Sequence, residues 1–466
     1  MNSQPAPVTS SAIPPILQSA ARRLSVFFKV AGICLLLLLL HIPLALTDHV
    51  LRERRGYQAQ ATEEVAALWG RQQLVSGPVL AVPYACKTWV TRSQMVGGKA
   101  VQVGDWELTT ATAYFLPEEL AMAGRVDPEV RRRGIYDVVV YGAKLNLTGH
   151  FLPDFAAAGI AAERIDWDQA RVLVGVSDLH GVRAVGPVQL GAGRSANFES
   201  VPDQLLPLAA KVAGVKPGAR LEFALDAQVQ GSGQLRFAPL GRTTTVELKS
   251  AWADPSFTGA ALPATRSVGP DGFTATWQSA HFSRGLAQSW TSQQLEDSEA
   301  LKRMSAAGFG VSFLDPVNTY SMVERAQKYG VLFFVLAFAV FFLFEVTARL
   351  RIHPLQYALV GVALCLFFLG FLALSEFWTP ALAYGTAAGA CTLMVSVYAW
   401  SFLRTGRRTL VIAGGLAATY AYLYFVLRSQ DYALIAGTVA LFAMLALVMF
   451  FTRRVDWYEV DLGKQG

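Results

Sequence analysis

The stretch YGVLFFVLAFAVFFLFEV, Tyr329–Val346, is the first of five apolar runs that follow one another to Phe451. The others are Leu355–Leu374, Ala381–Leu403, Leu410–Leu427 and Tyr432–Phe451. Each has roughly the length that a helix rising about 1.5 Å per residue needs to cross a hydrocarbon layer about 30 Å thick. Lipid cannot satisfy an open peptide group, so runs this apolar are predicted to be helices. Residues 329–451 are therefore read as a bundle of five spans, and 452–466 as a cytoplasmic tail.

Working outward, a further apolar stretch lies near the N-terminus, Leu24–Leu46, behind Arg22 and Arg23. It reads either as a cleavable signal peptide or as an uncleaved anchor. Its length exceeds a usual signal-peptide core and no convincing A-x-A site follows, which favours an anchor over residues 20–46. Residues 1–19, rich in Pro, Ser and Ala, read as a disordered cytoplasmic tail. Hydrophobic residues are 53% and charged residues 16% of the chain, and mean hydropathy is +0.36, all shifted toward membrane proteins. The net charge of +6 gathers as Arg beside the spans, where it sets topology rather than binding nucleic acid.

Between the anchor and the bundle the residues are of another kind. Val50, Leu51, Tyr57, Ala61, Val65 and Leu68 recur at helical spacing among charges, which predicts a helical stalk over 47–70, ending at Gly70. From Pro78 the period becomes two. Leu221, Phe223, Leu225 and Val229 alternate with polar residues, as do Val246 with Leu248 and Phe273, Ala275 and Trp277. Each is the pattern of a half-buried antiparallel strand. Gly269-Pro270-Asp271-Gly272 is turn chemistry. Short helices are expected at Pro117–Ala123, Phe155–Ala161 and Val201–Val212. Residues 47–328 thus read as a large β-rich domain, one sandwich or two smaller ones. A helix-like stretch at Ser292–Met304 and an alternating one at Gly308–Leu314 precede a helix, Tyr320–Lys328, that leads into the bundle.

The short flanks orient the chain. Arg22/Arg23, Arg349/Arg351, Arg404/Arg407/Arg408 and Arg453/Arg454 fall on alternate sides of successive runs. By the positive-inside rule, both termini are cytoplasmic and the β-rich region lies outside, between the first and second of six spans.

Intramembrane charge is the default functional clue. Glu345 reads as a proton or ion ligand or, more simply, as the partner of Arg349 one turn on. Glu376 reads as a path-lining group or as a solvated loop carboxylate. Gly385-x-x-x-Gly389, and Gly414-Gly415 with Ala418, mark faces expected to pack against other helices. His353-Pro354 fits a helix start. No span carries a charge near its midpoint, and G-x-S-x-G, H-E-x-x-H and P-loop patterns are absent from the sequence. The histidines lack ligand spacing, and Cys86, the lone cysteine outside the spans, reads as an intermolecular bridge or, more simply, as a small buried residue. No catalytic residue, metal site or cofactor is expected.

Several stretches together resemble the CreD family of bacterial inner-membrane proteins, associated with cell envelope integrity. They are Trp69-Gly70 with Ser76–Leu80, Arg132–Val138, Pro255–Ala260, Lys328–Gly330, Phe344-Glu345, His353–Tyr357, Leu374–Glu376, Asp431–Leu434 and Thr452–Trp457. The resemblance covers most of the chain after about residue 20. It implies an inner-membrane protein with a large periplasmic domain, tied to the stress response under the CreBC two-component system, and no established catalytic residues. The expected partners are the lipid bilayer and, through the outer domain, envelope proteins or lipids. The alternative is a transporter or flippase built on the bundle. The sequence leaves the ligand and the oligomeric state open.

Overall fold

In the computed structural model the described residues are 31–96, 99–191, 193–202, 204–313, 319–348, 352–403, 405–428 and 433–453. The chain divides into two compact units, one running to Tyr57 and resuming at Val317, the other Gln58–Pro316.

The second unit is built from two sheets, of ten and nine strands among the described residues. The first is centred on β1 (Gln73–Val96), which pairs with β2 (Lys99–Phe115) from Leu80↔Phe115 to Val96↔Lys99. The nine-stranded sheet begins with β3 (Glu119–Arg133), whose hairpin with β4 (Tyr136–Phe151) closes at Arg133↔Tyr136. Back in the first sheet, β5 (Arg171–Val176) and β6 (Leu208–Lys211) extend β1 on its other edge. β7 (Leu221–Ser232) lies antiparallel to β4. The chain then turns at Gly233 into β8 (Gln234–Phe237), which runs parallel to β1. β9 (Thr243–Ser250) runs parallel to β3 and antiparallel to β10 (Gly272–Ala280). A helix, Asp297–Ala306, precedes β11 (Phe309–Ser312), which pairs with β8.

The alternation read in β7, β9 and β10 is what buries one face of the second sheet: Leu221, Phe223, Leu225, Val246, Leu248, Ala275 and Trp277 all point inward. Opposite them lie Val79, Leu235, Phe309 and Val311 of the first sheet, in one continuous core. Trp277 of one sheet stacks on Phe309 of the other at 5.8 Å between centroids. Tyr141 likewise meets Phe313 at 5.3 Å.

Three expected helices are corrected. Pro117–Ala123 leads into β3, because Leu120 and Met122 point inward between β4 and β9. At Phe155–Ala161 the Asp154 carboxylate accepts the backbone N–H groups of Ala156 and Ala157, and Gly159, with φ +67°, ends the turn. Within Val201–Val212, Leu208–Lys211 is strand β6, paired with β5, and Pro207 would break a helix running through the middle of the range. The sheet also starts earlier than expected. β1 begins at Gln73 and passes Gly77-Pro78, a cis peptide, with a register shift between Ser76 and Val79.

The helix α1 (Ala31–Trp69) ends at Gly70. A Cβ there would lie 2.7 Å from the Gln230 carbonyl, and φ is +134°, so only glycine lets the chain turn against β7. Around it Trp69 donates its indole N–H to the Tyr141 carbonyl at 3.2 Å. The Arg131 guanidinium covers the Trp69 ring at 3.9 Å. Asp178 fixes the entry to β1, accepting from the backbone N–H groups of Arg71 at 2.9 Å and His180 at 3.0 Å and from His180 Nδ1. Burial of this carboxylate works against its ionisation, but those donors outweigh it and hold its pKa below the usual value. The sign follows: a carboxylate with a depressed folded pKa adds stability above its unfolded pKa and loses it as pH falls through the folded one. Asp178→Asn is therefore expected to lower the unfolding midpoint at neutral pH. The gap from wild type should close as pH drops below about 4, the ordinary aspartate value. Thermal melts of both proteins from pH 7 to pH 3 measure it, and a gap independent of pH would contradict it.

In the first unit the five apolar runs are helices. α2 (Thr319–Lys328) precedes α3 (Gly330–Ala348), and their axes bend by 54° at Tyr329. α4 (Pro354–Ser375), α5 (Pro380–Leu403), α6 (Gly406–Arg428) and α7 (Ala433–Thr452) follow. Among the described residues four helices, α1, α4, α5 and α6, are long and apolar enough to cross a bilayer, and the bent pair α2–α3 makes a fifth. In α7 the apolar helical stretch is Ile435–Leu447. α1 joins this bundle through Leu40 and Leu44. A Cβ on Gly361 would meet Leu40 at 2.5 Å, and one on Gly330 would meet Leu44 at 3.2 Å. Both glycines are thus seats for α1 side chains. The interior is aromatic, with Phe333, Phe367 and Tyr420 in mutual ring contact.

Candidate functional site

The strongest polar constellation in the helical unit forms where α3 ends and α4 begins. Glu345 is 1% exposed. Its Oε1 accepts from the Ile352 backbone N–H at 3.1 Å, and its Oε2 accepts from the Tyr357 hydroxyl at 2.9 Å. His353-Pro354 opens α4. His353 Nδ1 accepts from the Leu355 N–H, and Gln356 Oε1 accepts from the His353 N–H, closing a capping box with Pro at the first helical position. One turn into α4, Tyr357 then faces back to α3, with its ring edge-on to Phe338 at 5.8 Å.

Glu345 is enclosed; its expected partner Arg349 lies outside the described residues. A carboxylate so placed fastens α3 to α4 by two oriented hydrogen bonds. Removing the donor by Tyr357→Phe is expected to cost about 0.6–1.7 kcal/mol, the range for side-chain hydrogen bonds within membranes. Glu345→Gln should cost a comparable amount, and the double variant less than the sum. Denaturant titrations of the four proteins in mild detergent measure the coupling; strict additivity would refute it.

Glu376, just past α4, is also not the free loop carboxylate expected. Its side chain is 10% exposed and lies 3.5 Å from Arg54 of α1. One residue on, Arg55 reaches Glu324 of α2 at 2.6 Å, and Lys328 takes the other oxygen of Glu324 at 2.8 Å. Ion pairs thus tie α1 to α2 and to the end of α4. Glu345 and Glu376 are not brought together. From Tyr357, which holds Glu345, to Glu376 is about 28 Å along α4 at 1.5 Å per residue.

Gly385 and Gly389 do not pack as expected. A Cβ at either would meet nothing within 4 Å. The packed face of α5 is Ala383, Ala387, Cys391, Val395 and Ala399, spaced by four and all buried. Two residues along a helix is about 200° of rotation, so the glycines fall on the far side. They line an open groove of about 740 Å³ between α5 and α6, with Ala388, Ala417 and Tyr424. Of the second small-residue pair, Gly415 does seat a neighbour, Val340 of α3, 3.0 Å from where a Cβ would stand, while Gly414 is open. Among the described residues no three His, Cys, Asp or Glu side chains are placed to hold a metal. The Glu345 carboxylate was legible in the sequence as a charge in an apolar run. Its partner Tyr357, and Arg54 for Glu376, carried no signal, because a helix-borne Tyr or stalk Arg has no fixed spacing to a carboxylate on another helix.

The sequence profile of the family described as inner membrane protein CreD matches residues 25–458. The chain belongs to the CreD family. Inner membrane protein CreD of Escherichia coli K12 is 30% identical over 448 residues, covering 94% of this chain and 95% of that protein. Several of the stretches that carried the CreD resemblance are joints in the structure, while Asp431-Tyr432 and Arg454–Trp457 lie outside the described residues. Trp69-Gly70 is the turn from α1 into β1. Arg132 pairs with Asp137 at 2.9 Å across the β3–β4 hairpin. Ser256–Gly259 is an edge strand on β11. Glu345 and His353–Tyr357 form the α3–α4 fastening. In this CreD protein the motif residues described here are occupied in holding the fold.

Proposed function

We propose that this CreD protein acts without catalysis in the bacterial inner membrane, maintaining envelope integrity as part of a stress response. In this reading six spans leave both termini in the cytoplasm, and the β-rich unit stands in the periplasm, where it binds an envelope protein or lipid. The alternation of Arg-bearing flanks supports that topology. The observation that carries the non-catalytic reading is the structural use of three carboxylates, one buried and two half-buried. Glu345, Glu376 and Asp178 each hold two chain segments together. A transporter with Glu345 and Glu376 on one path finds no shared site for them, given their separation along α4.

Photo-crosslinking in intact cells, from exposed positions on the β-rich unit such as Arg125 and Thr265, tests the binding role. Recovery of a defined envelope component supports it; products no different from a protein-free control refute it. Reporter fusions at residues 200 and 460 test the topology, which fails if both report the same side. Unchanged flux in vesicles on Glu345→Gln and Glu376→Gln is expected, and lost flux would favour the transporter.

A further inference from the structure

The hairpin of β1 and β2 continues well past the body of its sheet. On its outer edge β1 is joined by β5 only as far as Ala81, then by Arg164–Ile165 at Tyr84 and Ala85. β2 is joined on its own outer edge by Ser289–Thr291 at Ala113–Phe115. Beyond these points the ladder runs on through Thr88↔Glu107, Trp89↔Trp106, Thr91↔Gly104 and Ser93↔Gln102. Among the described residues no further strand pairs with either edge there. At about 3.3 Å per residue the free part is roughly 30 Å long.

A two-stranded ribbon is marginal in water, and three or more strands are needed for independent stability. This one is built to be stiff. The Trp89 ring lies on Gly104, where a Cβ would stand 2.2 Å from it. Its neighbour Trp106 packs edge-on at 5.3 Å. Yet Trp89 is 55%, Trp106 60% and Leu108 64% exposed, all on one face.

The two edges differ. That of β2 carries Gly104, Asp105 and Glu107, residues that discourage pairing. That of β1 carries Thr88, Trp89, Val90, Thr91 and Ser93, good strand formers or neutral, with Arg92 tied to Glu107. Lys87, just before, is tied to Glu163 at 3.1 Å. An edge whose charges are already neutralised offers a row of unpaired N–H and C=O groups, which an antiparallel strand matches.

We propose that this β1 edge, Thr88–Ser93, is where two copies of the chain join, antiparallel, about a two-fold axis at Thr91. That register sets Thr91 opposite Thr91 of the second copy, Val90 opposite Arg92, and Trp89 opposite Ser93, so no like charges face each other. An axis at Arg92 would oppose two guanidinium groups. An axis at Val90 would draw the partner strand toward Lys87 and the segment at Glu163 that covers the edge by Ala85. The product is a four-stranded sheet, β2–β1–β1–β2, with an isologous interface, the commonest kind in homodimers.

The test uses the full-length protein in native membranes. Directly opposed residues of antiparallel strands have Cα atoms about 4.5–5.5 Å apart, within disulfide reach. Thr91→Cys should therefore give, on mild oxidation, a reducible product of twice the monomer mass as the main species. Gln102→Cys, one strand away from the axis, should give little. In detergent, light scattering of the wild type should report a dimer, and Thr91→Lys, which sets two ammonium groups opposite each other, a monomer. A wild-type monomer, equal crosslinking of both cysteine variants, a Thr91→Lys variant that stays dimeric, or a Thr91→Cys product joined to a different protein would each overturn the proposal.

Discussion

Replacing Arg284 by methionine is expected to destabilise the β-rich unit by at least about 3 kcal/mol, since several buried acceptors each lose their donor. Arg284 is 2% exposed, and its hydrogen-bond partners among the described residues are neutral. It donates to the carbonyls of Leu286 at 3.1 Å and Gly241 at 2.9 Å, to that of Leu240, and to Gln288 Oε1 at 2.6 Å. Gln288 in turn donates to the carbonyls of Leu116 and Pro117. One guanidinium thus organises three irregular segments: the β2–β3 turn, the β8–β9 connection and the chain after β10. Burial, with repulsion from Arg242, pushes its pKa down to about 10, against the attraction of Glu118, so the group is still charged at neutral pH. Arg284→Lys should not rescue the loss, because an ammonium has three donors on a point and cannot span the fork of acceptors. Chemical denaturation of the three proteins measures this; a lysine variant as stable as wild type would contradict it.

The second large effect is expected at Trp277. This side chain is fully buried, stacked on Phe309 and edge-on to Phe257 at 5.7 Å. It is therefore a main contact through which β10 of one sheet meets strands of the other. Trp277→Ala should cost about 3–5 kcal/mol through lost burial and the cavity left behind. For a unit of this size that lowers the melting midpoint by roughly 6–20 °C. Trp277→Phe retains a ring against Phe309 and should cost clearly less. Equal losses for the two variants in thermal melts would show that ring packing between the sheets is not what Trp277 supplies.

The two positions differ in how far the sequence announces them. Trp277 sits in a run that alternates strictly with Thr274, Thr276 and Gln278, so its inward direction can be read directly. Arg284 sits in a Ser-Arg-Gly segment without alternation, so nothing local marks it as buried; the closure of three distant segments around it removes it from water. The long hairpin β1–β2 was hidden for another reason. Gly77, Pro78 and Pro83 interrupt the alternation of β1, and its distal half is exposed on both faces, so neither half shows a clean period of two. β3 was obscured because its second half, Arg125 to Arg133, is a charged arm whose pairing with β4 rests on backbone bonds more than on an apolar face.

Length and hydropathy alone determined where the helices of the bundle lie, since an apolar run of that size has no other way to satisfy its peptide groups in lipid. Alternation alone determined that the middle of the chain forms sheets, because a period of two buries one face whatever the partner. Which residues meet was decided only by tertiary structure. Glu345 found Tyr357, Glu376 found Arg54, and Gly385 and Gly389 were left facing open space, because the rotation of each helix about its axis is set by the side chains of its neighbours. A pattern within one segment fixes its period but not the phase at which it docks.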